Sequence, residues 1–150
     1  MLPPVLVLCT GNVCRSPMAE VLLRASLATL RPGLVVASAG LAAPVGQPAD
    51  PLAVELMAGR GLDLSAHRAR QVTAEQVAAA GLVLVMEAAQ QTHLELLAPA
   101  ARGRVQRLGA YGGFDVPDPY RQGRREFERA LGLIEQGIAA FERAWWGAEG

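Results

Sequence analysis

The chain has 150 residues, the size of one domain that buries a core without disulfide or metal support. Apolar residues make up 51% of it, which excludes intrinsic disorder. The 14 basic and 14 acidic residues cancel, so the charge balance indicates neither nucleic acid nor a membrane surface as a partner.

The chain begins with a short apolar segment. Residues 1–8 have no basic region and no small-residue cleavage site, so they do not predict a signal peptide. The apolar run at 5–8 is far shorter than the roughly 20 residues that span a bilayer. Two cysteines, five positions apart, cannot form the disulfide framework of a secreted fold. The sequence therefore predicts a soluble cytoplasmic protein with a single domain over residues 1–150.

The first half of the chain alternates apolar runs with helix-start signals. Val5–Cys9 is a continuous apolar run, typical of a strand buried on both faces. Pro17, with Glu20 in the first turn, and Asp50 followed by Pro51 are both helix starts. The predicted elements are a strand at 5–9, a polar turn at 10–16, a helix from 17 that ends at 31–33, a strand at 34–37, a loop at 40–47 and a helix from 51 to about 60.

The second half continues the alternation. Thr73 and Gln76 form a capping box, which opens a helix that closes near Gly81. A strand at 82–86, a helix at 90–97 and a strand at 104–108 follow. The last helix has one apolar stripe with steps of three and four residues, made of Phe127, Leu131, Ile134, Ile138, Phe141 and Trp145.

Strands separated by helices predict an α/β fold with a parallel sheet and helices on both faces. Ligands bind such sheets beyond the carboxyl ends of the strands. The turn after the first strand is therefore the expected site, and it contains both Cys9 and Cys14.

The turn from Cys9 to Ser16 has the composition of a phosphate-binding loop. A loop before a helix start points several backbone N–H groups at one spot, and Gly11 and Asn12 allow the tight backbone turn. Arg15 offers a planar fork for two phosphate oxygens. In this positive field Cys9 is expected to be a thiolate nucleophile, with the Ser16 hydroxyl donating to it.

These residues also allow interpretations other than a catalytic loop. Cys9 could be a small apolar residue that ends a strand, with Arg15 a solvated residue at the start of a helix. A zinc site formed by Cys9, Cys14, His67 and His93 is rejected, because the spacings match no zinc pattern. The chain contains no lysine, which excludes a nucleotide P-loop and a lysine Schiff base.

The stretch at 5–20, VLVLCTGNVCRSPMAE, resembles the opening of the low-molecular-weight protein tyrosine phosphatases. The likeness extends through blocks at 38–40, 46–50 and 65–71, and it closes with Asp-Val-Pro-Asp-Pro-Tyr at 115–120. The resemblance implies a four-stranded parallel sheet flanked by helices, with the phosphate loop after the first strand. It also implies hydrolysis of phosphotyrosine in proteins through a phosphocysteine, with no metal or organic cofactor.

The resemblance also assigns roles to individual residues. Cys9 is the nucleophile, Arg15 binds the phosphoryl oxygens and Asp118 is the general acid and base, while Asp115 is assigned only a surface turn. Asn12, Ser38 and His67 resemble the family's supporting hydrogen-bond network. The residues expected to bind phosphate or substrate are Thr10, Gly11, Asn12, Val13, Cys14, Ser16 and Tyr120.

The sequence departs from the family pattern at two places, and the first of them bears on the substrate. The expected pocket wall at 40–45 contains no aromatic residue, and Glu87 stands where the family more often has aspartate. A protein arginine phosphatase therefore stays open as an alternative, although Val13 favours phosphotyrosine because it cannot hydrogen-bond a guanidinium. An arsenate reductase on the same fold is disfavoured, because the chain has no cysteine beyond the loop. A non-catalytic phosphate-binding module is a third alternative.

The remaining expectations concern partners and redox state. Phosphotyrosine proteins are the expected partners, without nucleic acid or membrane, and the chain is expected to be a monomer. Because Cys9 and Cys14 share one small loop, oxidation is expected to join them reversibly.

Overall fold

The computed structural model describes residues 2–147, so residues 1 and 148–150 of the predicted domain lie outside the described residues. Its centre is a four-stranded parallel sheet in the order β2-β1-β3-β4. The strands are β1 (Val5–Cys9), β2 (Val36–Gly40), β3 (Leu82–Val85) and β4 (Val105–Arg107). The predicted parallel α/β sheet is confirmed.

Five helices connect and cover these strands. They are α1 (Arg15–Leu30), α2 (Pro51–Ala58), α3 (Ala74–Ala79), α4 (Ala88–Leu97) and α5 (Arg124–Trp145), with short 3-10 turns at Pro99–Ala101 and Ala110–Gly112. Among the described residues, none of the helices combines the length and the apolar character needed to cross a membrane.

The pleat of β1 divides the core between the two faces of the sheet. Val5, Val7 and Cys9 pack with α1, α2 and α5, whereas Leu6 and Leu8 pack with residues of α3 and α4. Every residue of β1 is buried, which explains why the strand appears in the sequence as a continuous apolar run. Helices therefore cover both faces, as predicted.

The stripe on α5 ends one turn earlier than predicted. Phe127, Leu131, Ile134, Ile138 and Phe141 are buried along the sheet side of the helix. Trp145 is 41% exposed, and the adjacent Trp146 is 6% exposed and belongs to the core instead. The indole N–H of Trp145 donates to the Tyr111 hydroxyl at 2.8 Å. An amphipathic tryptophan at a helix end can keep its polar tip exposed in this way.

The second strand lies further along the chain than predicted. It spans Val36–Gly40, and not 34–37, because Gly40 continues the ladder opposite Cys9. A side chain at Gly40 would place its Cβ 2.8 Å from the Thr10 carbonyl oxygen, so glycine here permits close packing. α1 begins at Arg15, and not at Pro17. The other boundaries agree with prediction to within about two residues.

Candidate active site

The loop after β1 wraps around the Cys9 sulfur. The Asn12 backbone N–H donates to Cys9 Sγ at 3.3 Å, and the Ser16 hydroxyl lies 3.0 Å from the same sulfur. Both contacts are buried. Because α1 begins at Arg15, the positive end of its dipole and its free N–H groups adjoin the loop. These groups can donate hydrogen bonds to the oxygens of a bound phosphoryl group.

Asn12 fixes the shape of this loop. Its φ is +56°, a left-handed conformation that asparagine tolerates better than most residues. Its side-chain amide donates to Ser16 Oγ at 2.9 Å and to Ser38 Oγ at 3.0 Å, and its amide oxygen accepts the Arg70 backbone N–H at 3.0 Å. The buried side chain thus has partners on three separate segments.

The support continues beyond Asn12. His67 Nε2 lies 2.7 Å from the Asn12 carbonyl oxygen, and Ser38 donates its hydroxyl hydrogen to Glu20 on α1. Glu20 is itself paired with Arg24, so its buried carboxylate is compensated. The structure brings Asn12, Ser38 and His67 together, as the resemblance implied, and adds Glu20. The sequence showed Glu20 only as a residue of the first helical turn.

Arg15 is held rigidly by one of its terminal nitrogens. Nη1 donates to Glu87 Oε1 at 3.0 Å and to the Val116 carbonyl oxygen at 2.8 Å. Its Nε is buried and has no hydrogen-bond partner among the described residues. Arg15 is 1% exposed, and a buried donor without a partner is unusual unless a ligand supplies the acceptor. The Nε and Nη2 edge suits two oxygens of one phosphoryl group.

A cleft of about 590 Å³ opens above this loop. Most of the residues predicted to touch substrate line it, together with Pro44, Gln47, Asp50 and Pro51; the predicted residues are Cys9, Thr10, Gly11, Val13, Cys14, Arg15, Asp118 and Tyr120. Ser16 and Asn12 lie beneath the loop. Asp50 caps α2 by accepting the Leu52 N–H, and the sequence identified only this capping role.

Asp118 lies at the edge of the cleft, opposite Arg15. Its Oδ2 is 3.7 Å from Arg15 Nη2, and its Oδ1 accepts the Tyr120 backbone N–H at 3.1 Å. The side chain is 47% exposed, so a proton on Oδ2 can reach both the cleft and solvent. A carboxyl group in this place can transfer a proton to a leaving oxygen in the cleft.

Asp115 has more contacts than a surface turn residue requires. It is exposed, as expected, but its Oδ1 accepts the Ala88 backbone N–H at 3.1 Å and pairs with Arg107 Nη1 at 2.9 Å. Ala88 is the first residue of α4, directly after Glu87, and Arg107 is the last residue of β4. Asp115 thereby anchors the loop that carries Asp118. No local pattern could show this, because the partners lie 27 and 8 positions away.

The turn between β3 and α4 connects the two loops of the cleft. Gln90 accepts the backbone N–H groups of Met86 and Glu87 at 3.0 Å each, and it donates to Thr10 Oγ1 at 3.2 Å. Gln90 is buried. The sequence marked it only as the start of a helix. The same turn thus contacts Arg15 through Glu87 and the phosphate loop through Gln90.

Cys14 is a buried residue in the lining of the cleft. Burial, with the nearby negative charges of Asp50, Cys9 and Asp118, raises the pKa of the Cys14 thiol far above its ordinary value. The thiol is therefore mostly neutral at neutral pH, which makes it a weak nucleophile. Within residues 2–147, no group of three or more His, Cys, Asp or Glu side chains is placed to hold a metal ion.

Comparison with known proteins identifies one family that matches most of this chain. A family model described as low molecular weight phosphotyrosine protein phosphatase matches residues 4–145. The probable low molecular weight protein-tyrosine-phosphatase EpsP of Ralstonia nicotianae is 50% identical over 141 residues, covering 94% of each chain.

Solved structures agree with this match. The Erwinia amylovora tyrosine phosphatase amsI is 36% identical with a TM-score of 0.88, over 96% of this chain and 93% of its own. Vibrio vulnificus Wzb in complex with benzylphosphonate is 37% identical with a TM-score of 0.85, over 94% and 97% of the two chains.

Proposed function

This chain belongs to the low molecular weight phosphotyrosine protein phosphatase family, and we propose that Cys9, Arg15 and Asp118 carry out its reaction. It is a protein tyrosine phosphatase and therefore a hydrolase. One observation supports the residue assignment above all others. The buried Arg15 Nε lacks a partner among the described residues, in a cleft that also contains Cys9 and Asp118.

In the first step Cys9 attacks the phosphorus atom in line with the departing phenolic oxygen. A sulfur–phosphorus bond forms while the phosphorus–oxygen bond breaks, and Asp118 gives its proton to the leaving oxygen. The loop N–H groups and the Nε–Nη2 edge of Arg15 bind the three remaining oxygens, whose charge grows in the transition state.

In the second step water hydrolyses the phosphocysteine. Asp118, now a carboxylate, accepts a proton from water as the oxygen attacks phosphorus. The sulfur–phosphorus bond breaks and the electron pair returns to Cys9. The Ser16 hydroxyl, 3.0 Å from the sulfur, donates to the emerging thiolate and makes it a better leaving group. Inorganic phosphate is the product, and neither step needs a metal or cofactor.

The substrates are proteins that carry phosphotyrosine, and a single chain supplies every group named above. We therefore propose a monomer acting in the cytoplasm, where a catalytic thiol stays reduced. The benzylphosphonate in the Vibrio vulnificus relative supports an aromatic ligand.

Turnover of para-nitrophenyl phosphate without added metal separates a phosphatase from a non-catalytic phosphate-binding module. Absence of arsenate reduction with a thiol donor excludes a reductase.

Substrate preference depends on Val13, which lines the cleft. We expect a phosphotyrosine peptide to be preferred over a phosphoarginine peptide by at least about tenfold in kcat/KM. A guanidinium nitrogen beside the Val13 methyl groups would lack a partner, at about 1–3 kcal/mol. An aromatic ring instead gains apolar contact with Val13 and Tyr120. The measurement compares the two phosphopeptides on one peptide sequence.

Val13→Thr is the matched variant, because threonine has nearly the same shape and adds a hydroxyl. Val13→Thr should reduce the ratio of kcat/KM for the phosphotyrosine peptide to kcat/KM for the phosphoarginine peptide. Faster hydrolysis of phosphoarginine by the wild-type protein would contradict the preference. An unchanged kcat/KM ratio in Val13→Thr would show that the pocket wall at residues 41–45 determines the substrate preference.

Oxidation should inactivate the enzyme reversibly. Peroxide converts the Cys9 thiolate to a sulfenic acid, and the Cys14 thiol then displaces water to form a disulfide. Since burial raises the pKa of Cys14, few of these thiols are ionised at neutral pH, and disulfide formation should become faster as pH rises. Mass spectrometry after peroxide should find the Cys9–Cys14 bond, and a reductant should restore turnover. Detection of over-oxidised Cys9 together with a free Cys14 thiol would contradict the predicted disulfide.

A further inference from the structure

Arg121, which follows the cleft residue Tyr120 in the chain, has a backbone conformation unfavourable for its residue type. The Gln122 N–H donates to the Pro119 carbonyl oxygen at 2.9 Å, which closes a four-residue turn. Arg121 occupies the third position with a φ of +61°, where such turns favour glycine or asparagine. The other described non-glycine residue with positive φ is Asn12, whose side chain has clear partners. Strain of this kind persists where surrounding interactions hold it.

The Arg121 side chain lies over an aromatic residue of the cleft. Its guanidinium carbon is 5.1 Å from the centre of the Tyr120 ring, within the range of a cation–π contact. Tyr120 lines the cleft, and both residues are exposed. The strained turn therefore places a positive charge beside the tyrosine that borders the substrate.

Within the described part of the chain, this charge has no acidic partner. Among residues 2–147, no carboxylate oxygen lies within 4.0 Å of the Arg121 guanidinium, whereas Arg124 pairs with Glu55 and Glu128. Inside the cleft the charged side chains are Arg15, Asp50 and Asp118. Arg15 serves the phosphoryl group, so Arg121 adds a positive charge available to the rest of the substrate.

We propose that Arg121 is a specificity-determining residue, selecting protein segments that carry a carboxylate side chain beside the phosphotyrosine. The proposal rests on the phosphotyrosine phosphatase function. With the phosphoryl group at the loop and the ring beside Tyr120, the flanking residues of a substrate lie along the rim. A glutamate or aspartate there pairs with the guanidinium, and opposite charges also speed encounter.

The test uses pairs of phosphotyrosine peptides that differ only by Glu or Gln directly before or directly after the phosphotyrosine. For the wild-type protein we expect kcat/KM to be about two- to fivefold higher for the Glu peptide of at least one pair, the scale of an exposed ion pair. The ratio should fall towards one at high salt. Arg121→Gly and Arg121→Asn suit the turn but remove the charge, so both should bring the ratio to about one without lowering thermal stability.

Two further variants separate charge from structure. Arg121→Lys keeps the charge and should keep most of the preference. Arg125→Ala removes a nearby exposed arginine of α5, outside the cleft, and should leave the ratio at its wild-type value. A kcat/KM ratio of one for every pair in the wild-type protein overturns the proposal. A preference for the Glu peptide that persists in both Arg121→Gly and Arg121→Asn overturns it too. If the wild-type protein hydrolyses none of the peptides, the proposed function is overturned. If it hydrolyses them without preference, only the role of Arg121 is overturned.

Discussion

Replacing Cys9 by serine should abolish turnover while leaving anion binding measurable. The serine oxygen can keep the contacts that the sulfur makes with the Asn12 N–H and the Ser16 hydroxyl, so the loop should keep its shape. A serine hydroxyl is a far weaker nucleophile at neutral pH than a thiolate. Binding of phosphate to Cys9→Ser, measured by calorimetry beside turnover of para-nitrophenyl phosphate, checks both halves of the prediction.

Cys14→Ser provides the matched control, since it makes the same atomic change in the same loop. Burial raises the pKa of the Cys14 thiol, so this sulfur should not attack phosphorus, and its replacement should reduce turnover far less. Residual activity above about one per cent in Cys9→Ser would contradict Cys9 as the nucleophile. Equal losses in the two variants would point to loop distortion instead.

Asp118→Asn should slow turnover most for poor leaving groups. The loss expected from removing a general acid is about 10²–10⁴-fold. The asparagine oxygen can still accept the Tyr120 N–H, as Asp118 Oδ1 does at 3.1 Å, so the position of the side chain should be preserved. Initial rates over a series of aryl phosphates, whose leaving phenols differ in acidity, measure the effect. A highly acidic phenol departs without a proton, so for that substrate the loss of rate should be small.

Asp115→Asn is the natural comparison for that experiment. The two aspartates lie in one loop, but Asp115 faces Ala88 and Arg107, whereas Asp118 faces Arg15. Loss of the Asp115 charge should loosen the loop. The resulting loss of turnover should not depend steeply on the leaving group. If Asp115→Asn shows that dependence and Asp118→Asn does not, the acid has been assigned to the wrong carboxylate.

Much of the fold could be predicted because its signals are local. β1 is buried on both faces and is a continuous apolar run, and the Thr73 capping box is formed as predicted. Asp50 likewise caps α2, just before Pro51. β2 was misplaced because its boundary depends on a neighbour: Gly40 pairs with Cys9, and a glycine followed by a loop gives no strand signal.

The site was predictable to the extent that its residues follow one another in the chain. The loop from Cys9 to Ser16 is a single segment, and Asp118 was found only through resemblance to a family pattern. The contact of Arg15 with Glu87 joins residues 72 positions apart, and the contact with Val116 spans 101. Gln90 contacts Thr10, 80 positions away, and Asp115 contacts Ala88, 27 positions away. Such contacts are set by strand order and helix packing, which local patterns do not record.

The dependence of the loop on Asn12 limits how this site could be transplanted. Its left-handed backbone is held through Ser38 in the middle of β2 and through His67 and Arg70 in a separate connection. Grafting residues 9–16 between a strand and a helix of another α/β scaffold would transfer the cysteine and the arginine but not the restraints on the turn between them. The smallest portable unit is therefore discontinuous in sequence: β1 with its loop, the hydroxyl on the adjacent strand, and the segment at 67–70.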